Sequence, residues 1–289
     1  MSKADSGGEA GSTGGHHPEN RGSRRLRPEY QDQGIVLRTY KLGEADKILR
    51  VLTREHGKRS AVAKGVRKTS SRFGARLEPL SHVKLFLHRG RNMDTVKQAE
   101  IVNSFQELRD DLDLFVMGSS MAELADTVAV ADDPDPVLFD LLLLGLQLLK
   151  EYPARAELNL ALFEFKLMSA AGFELMVGRC ANCGGEPGED VSFSLRLGGF
   201  VCGNCRTDRF GGAGKLVRVS TRCADLLSWM AAHKLGEWPG DVQPEVSAEV
   251  GALMGKVLEH WMEREFRSAR VRKAMPRRTE RTAGGRSDG

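Results

Sequence analysis

Four of the five cysteines in this 289-residue chain fall in two pairs, Cys180-Ala-Asn-Cys183 and Cys202-Gly-Asn-Cys205, with eighteen residues between them. Two C-x-x-C pairs about 15–20 residues apart have the spacing of a four-cysteine zinc site. Each pair bends the chain so that both thiolates reach one ion at about 2.3 Å. Gly184 and Gly203 relax the backbone of the two bends. Between the pairs, Phe193 to Val201 reads as a hairpin, with Gly198-Gly199 as a tight two-residue turn. Such a hairpin would carry the second pair back to the first, as in a zinc ribbon. Four cysteines leave no open coordination position, so the expected ion is structural, one per chain. Sulfur ligation favours Zn2+ over harder cations. The alternative is two redox pairs or unliganded thiols. An odd cysteine count gathered in one stretch does not fit a secreted disulfide framework, and a reducing cytosol is expected.

The net charge of +4 hides a strong asymmetry. Residues 30–105 carry 16 Lys+Arg against 7 Asp+Glu, and residues 106–179 carry 5 against 14. A basic block suggests a polyanionic partner; the bland alternative is a solvated surface with chance asymmetry. The longest apolar stretch, Val137 to Leu149, is broken by Asp140 and Gln147. It falls short of the roughly 20 residues of a membrane span. The first 29 residues hold no apolar run of the secretory kind.

The hydrophobic period divides the chain. Residues 30–105 read as five short strands: Gly34–Tyr40, Lys47–Thr53, Arg59–Ala63, Ser81–Leu87 and Asp94–Val102. Val83, Leu85 and Leu87 share one face, the period of two that marks a half-buried strand. Five strands in so few residues suggest an OB-fold barrel, with an SH3-like barrel as the neighbouring possibility. From Phe105 the period becomes helical. Helices are expected over Leu114–Val130, from Pro136 through the Leu-rich run to Leu149, over residues 155–171, over Thr221–His233 and over Pro244–Phe266. The fold class is therefore α+β. An OB-fold over 30–105 precedes a helical domain over 106–266, which carries a zinc-binding insertion over 178–212. Residues 1–29, rich in Gly and Ser, and the basic 267–289 read as disordered tails.

The second signal is Lys64-Gly-Val-Arg-Lys-Thr-Ser-Ser-Arg-Phe-Gly-Ala-Arg76, which has five cations and no acid. Flexible cations, hydroxyls and bare backbone amides are what phosphate contacts need. Lys64, Arg67, Lys68, Arg72 and Arg76 are the candidate polyanion contacts on this loop, the DNA-binding set if the partner is a nucleic acid. Arg38 and Lys41 join them from the first strand, and Arg89 and Arg91 from a second turn. Tyr40 and Phe73 have faces for base stacking, although each is individually better read as a core or edge residue. Catalytic motifs fail. Gly211-Gly-Ala-Gly-Lys215 lacks both the leading glycine of a phosphate loop and the Ser or Thr after its lysine. The acid groups Asp110, Asp111, Asp113 and Asp132, Asp133, Asp135 stand beside helix starts, where capping explains them better than a cation does. Cys223, on an apolar helix, is read as a buried small residue.

The order of these parts resembles the RecO family of bacterial recombination mediators. The likeness runs over about residues 30–262. It is carried by Gly34-Ile-Val-Leu37, Tyr40-Lys-Leu-Gly-Glu-Ala-Asp-Lys-Ile48, Thr53-Arg-Glu-His-Gly57, Ala63-Lys-Gly-Val-Arg-Lys68, Leu77-Glu-Pro-Leu80 and a helical domain interrupted by the two cysteine pairs. The resemblance implies a non-enzymatic DNA repair and recombination protein of the cytoplasm, associated with the nucleoid. Such proteins bind single- and double-stranded DNA and anneal complementary strands without ATP. They join RecR, contact the acidic tail of single-strand-binding protein and help load RecA. A zinc-ribbon adaptor associated with nucleic acid, and an enzyme with a structural zinc lid, are the competing readings.

Overall fold

A computed structural model describes residues 28–67, 73–188, 191–206 and 214–274. The tail expected over 1–29 lies outside these residues but for 28 and 29; of the tail expected over 267–289, residues 275–289 lie outside and 267–274 are helical. Five strands form a closed barrel: β1 (Glu29–Leu42), β2 (Asp46–Thr53), β3 (Gly57–Ala63), β4 (His82–His88) and β5 (Asp94–Asn103), in the order β1-β2-β3-β5-β4. This is the OB-fold. The fourteen residues of β1 make closure possible. Its first half pairs with β4, from Glu29↔His88 to Ile35↔His82, and its second half pairs with β2, to Leu42↔Asp46. The last seam is two parallel pairs, Ala61↔Asp94 and Val62↔Thr95. Val36, Leu49, Val51, Val83, Leu85, Leu87 and Val96 point inward and fill the barrel with Phe73 and Leu77.

Beyond the seam, β3 would present an open edge, with unpaired backbone groups. The segment after the second helix covers it. Lys58 N donates to Val130 O at 3.5 Å and Asp132 N donates to Lys58 O at 3.4 Å, making a parallel bridge at Lys58↔Ala131. Gly57 permits this approach. It adopts φ +69°, and a Cβ there would stand 2.3 Å from the Asp133 carbonyl oxygen.

The helical domain contains α1 (Gln106–Asp110), α2 (Leu112–Val128), α3 (Pro136–Glu151), α4 (Ala156–Ala170), α5 (Gly203–Arg206), α6 (Thr221–Ala232) and α7 (Pro244–Ala274). Capping sets the starts. The Asp111 carboxylate accepts from the N–H groups of Asp113 and Leu114, which begins α2 two residues before the expected Leu114. Asp135 caps α3 ahead of Pro136, and Ser220 caps α6. The acid groups thus include two N-caps. α7 continues past Phe266 to Ala274, so the expected domain boundary at 266 falls inside a helix. α4 is buried on nearly every face, packed between α2, α3 and α7. Among the described residues no helix is long and apolar enough to cross a membrane.

The barrel and the helices share one core. Ile35, Leu37 and Leu52 point out of the barrel wall and join Leu80, Phe105, Leu108, Phe139 and Leu142. Charge follows the same boundary, for the basic and acidic blocks meet across it. Arg38 pairs with Glu123 at 2.7 Å, Arg54 with Asp140 at 2.8 Å, and Arg50 and Lys58 both stand 3.3 Å from Asp126. Arg59 bridges Asp94 of β5 and Asp132 of the covering segment.

Two measurements test this architecture. Gly57→Ala forces the positive φ and the clash with Asp133 onto an alanine, and should cost about 1–3 kcal/mol in denaturant unfolding; an unchanged midpoint would show that the segment yields freely. Glu164 is 9% exposed in the helical core, and burial pushes its carboxyl up to about 7 from 4.5. The folded state therefore holds a proton that the unfolded chain releases. Stability should fall as pH rises from about 4.5 through 7, by about 3 kcal/mol in all. Glu164→Gln should flatten that dependence and be the more stable protein at pH 8.

Candidate nucleic-acid interface and metal centre

The insertion between α4 and α6 folds around three short strands, β6 (Ser192–Ser194), β7 (Gly199–Val201) and β8 (Leu216–Arg218), in the order β7-β6-β8. The hairpin expected between the cysteine pairs is present, but its connection is Leu195–Gly198 and not a two-residue turn. Gly198 N donates to Ser194 O at 2.9 Å, and Leu197 N donates to Ser194 Oγ at 3.1 Å. Only Gly198 takes a positive φ, +65°, while Gly199 already pairs with Ser194. β8 lies beyond residue 212 and completes the sheet. Its short, weakly patterned run gave no strand signal. Phe193 and Phe200 stack edge to face at 6.0 Å and fasten the sheet to the helical core.

The two cysteine pairs converge beside this sheet. Ala181 N donates to Phe200 O at 2.7 Å, which docks the first bend against β7, and Cys202 follows directly from β7. The Sγ atoms of Cys180, Cys183, Cys202 and Cys205 all lie within 4.8 Å of one another, and those of Cys183 and Cys202 are 3.9 Å apart. Four sulfurs on a tetrahedron about 2.3 Å from one ion would be roughly 3.8 Å apart, so the set fits a tetrahedral metal. Burial acts to raise the Cys180 thiol, but the N–H groups of Cys202, Cys183 and Asn182 outweigh it and bring it down to about 6. The thiolate, which is the ligand form, is thereby favoured at neutral pH. Cys223 is separate from the set. It is fully buried on α6, and burial pushes its thiol up to about 12.

On the barrel, register assembles the second site. Tyr40↔Ile48, Ile48↔Val62, Val62↔Thr95 and Thr95↔His88 form one row around the outer wall. In this row Tyr40 is half exposed and Ile48 and Val62 are partly exposed, an apolar step on the β1–β2–β3 face. The row below runs Arg38↔Arg50 and Arg50↔Ser60. At the adjoining rim, Lys41, Lys64 and Arg67 are exposed beside the β1–β2 turn, where Arg67 Nη1 donates to Gly43 O at 3.0 Å. The β4–β5 turn with exposed Arg91 lies toward the other end of the barrel, because β5 runs parallel to β3 from Ala61↔Asp94 and so starts away from the β1–β2 turn.

The remaining candidates divide. Arg38 faces α2, and its hydrogen bond to Glu123 raises its pKa. Arg89 is partly buried, with its guanidinium 4.8 Å over the Tyr30 ring. Arg76 lines a different groove of about 660 Å3, shared with Lys84, Phe86 and Lys97. Lys68 and Arg72 lie outside the described residues. Phe73 is 1% exposed in the barrel core, where it packs as a core residue and offers no stacking face. Sequence reasoning missed Ile48, Arg50 and Val62. The signal was there in β2: if Leu49 and Val51 point inward, Ile48 and Arg50 must point outward. It also missed the polar end of the barrel. There Tyr30 donates to Asp94, Arg59 donates to the same carboxylate at 2.8 Å, and His56 Nδ1 lies 2.8 Å from buried Asp32. Burial, then Asp94, raises the Tyr30 phenol. These groups come from separate strands and a turn, and no local pattern joins them.

The chain is thus a five-stranded barrel with a cationic rim, joined through a common core to a helical domain with a four-cysteine insertion. The family model described as "Recombination protein O N terminal" matches residues 26–105, and the one described as "Recombination protein O C terminal" matches residues 109–270. The chain belongs to the RecO family, whose role is in DNA repair and recombination. It is 37% identical over 249 residues to the DNA repair protein RecO of Cutibacterium acnes, covering 83% of this chain and 97% of that protein. It is 39% identical over 245 residues to that of Frankia casuarinae, with the same coverage. To that of Thermobifida fusca it is 38% identical over 247 residues, covering 84% and 97%.

Loaded with Co2+, the four-cysteine set should show thiolate-to-metal charge transfer and the visible bands of a tetrahedral ion. Cys202→Ser should weaken both and lower the thermal midpoint; unchanged spectra and full metal content would remove Cys202 from the site.

Proposed function

We propose that this chain is a recombination mediator that binds single- and double-stranded DNA and anneals complementary strands without ATP. It works with RecR and the acidic tail of single-strand-binding protein to help load RecA onto coated DNA. The observation that carries the DNA-binding part is the Tyr40–Ile48–Val62 row bordered by Lys41, Lys64 and Arg67 at one end of the barrel, with Arg91 on the turn toward the other. An aromatic and aliphatic step accepts bases by stacking, which is tolerant of sequence. The cations around it neutralise phosphates and release counterions, and that lets a second, like-charged strand approach. Annealing needs no bond making or breaking, so no catalytic group is required. We assign Zn2+ to the four cysteines as a structural ion. It would hold the two bends of the insertion together, since four thiolates leave no position for substrate.

Complementary oligonucleotides coated with the cognate single-strand-binding protein should anneal faster when this protein is added without nucleotide, and the gain should fade with salt. Replacing Lys41, Lys64, Arg67 and Arg91 by Ala should lower the slope of log affinity against log salt, by about 0.7 for each single-strand phosphate no longer neutralised. A slope equal to that of the wild type would refute these cations as the DNA-binding surface. Binding without any annealing would point instead to an adaptor.

A further inference from the structure

We infer that Glu123 and Asp126 of α2 are selectivity residues of the DNA face, acidic competitors that hold Arg38, Arg50 and Lys58 against a strand's phosphates. This inference rests on the DNA-binding reading proposed above. The three cations lie in and just below the row under Tyr40, Ile48 and Val62, where the backbone of a strand stacked on that row would next find positive charge. None of them points into free solvent. Arg38 Nη2 is 2.7 Å from Glu123, and Arg50 Nε and Lys58 Nζ are each 3.3 Å from Asp126 Oδ1.

The pairs have the properties of a displaceable competitor. Glu123 is 62% exposed and Arg38 is 39% exposed, so water and salt screen their attraction. Asp126 is closer in, yet its buried Oδ1 accepts no aligned hydrogen bond among the described residues. Its two cations reach Oδ1 at ion-pair distance only, and each has another partner: Lys58 Nζ donates to the Asp126 main-chain carbonyl at 2.5 Å and Arg50 Nη1 to Ser60 Oγ at 3.1 Å. The pairs are not needed to hold barrel and helices together, because Ile35, Leu37 and Leu52 already lie inside the common core. The consequence is a face in two parts. The rim cations Lys41 and Lys64 accept phosphate directly, whereas the lower row accepts it only by exchange with α2 carboxylates. A short footprint is therefore favoured over a strand laid along the whole wall.

The test is titration of a labelled single-stranded oligonucleotide across a salt series, using the full-length chain. Glu123→Gln with Asp126→Asn should bind more tightly than the wild type and occupy more nucleotides. Its salt slope should steepen by about 0.7 for each additional phosphate neutralised. Should the double variant fail to fold, Glu123→Gln alone carries the test, because that side chain is mostly in solvent. Glu107→Gln, which removes the same charge from a pair with Lys150 on α1 and α3, is the control. An equal gain in Glu107→Gln would mean that net charge is responsible, and would overturn the inference. So would an unchanged slope in the α2 variants while wild-type binding remains salt-dependent. Absence of DNA binding in every form would overturn the proposed function itself.

Discussion

Ile35, Leu37 and Leu52 turn the barrel inside out at one place, and the rest of the molecule is built around that contact. In most of the wall, inward residues are apolar and outward residues polar. Here the outer wall is apolar too, and it is buried against Leu80, Phe105 and the helices. Burying each such side chain stabilises by about 1.5–3 kcal/mol, more than an exposed ion pair contributes. The contact is possible because the ladder shifts between Val36 and Arg38. That bulge adds Leu37 as an extra residue facing the helices, so that Arg38 also lies on the outer wall opposite Arg50.

Once the contact is made, other features follow. α2 is brought alongside β1, so the acidic block of the chain faces the basic block and part of each is paired with the other. The segment between α2 and α3 is delivered to the free edge of β3. There Asp132 reaches Arg59, which also holds Asp94 inside the barrel end. The β4–β5 turn is tied into the same network, since Gly90 N donates to Asp94 at 3.1 Å and Arg89 covers Tyr30. The β4–β5 turn, which carries Arg91, therefore stands on a polar but largely buried scaffold and is not independent of the helical domain.

The cysteine site is organised on a different principle. Its strands are only three residues long, too short to hold themselves together. Two things compensate. Phe193 and Phe200 anchor the sheet in the helical core, and the four thiolates form a set that one ion can close. The four-cysteine set lies in the C-terminal part of the chain and the Tyr40–Ile48–Val62 row in the N-terminal part, and the two share no residue.

Much of this was legible in the amino-acid sequence. The cysteine spacing identifies the ligand set because the ligands sit on two local bends, and local geometry is written in nearby residues. Period two in Val83, Leu85 and Leu87, and the long Leu-rich run after Pro136, separate barrel from helices for the same reason. Cap residues such as Asp111 and Asp135 mark helix starts by a hydrogen bond that spans only two or three positions. What only the tertiary structure decided are relations between distant segments. The turn geometry of the β6–β7 hairpin depended on Ser194, and β8 became a strand only by pairing with β6. Whether Arg38, Arg50 and Lys58 meet solvent or α2 depended on how two domains dock. The gathering of Lys41, Lys64 and Arg67 at one rim, with Arg91 toward the opposite end and Arg76 on another groove, depended on barrel register. Such relations rest on burial and on pairing across dozens of residues, and a local pattern carries no term for either.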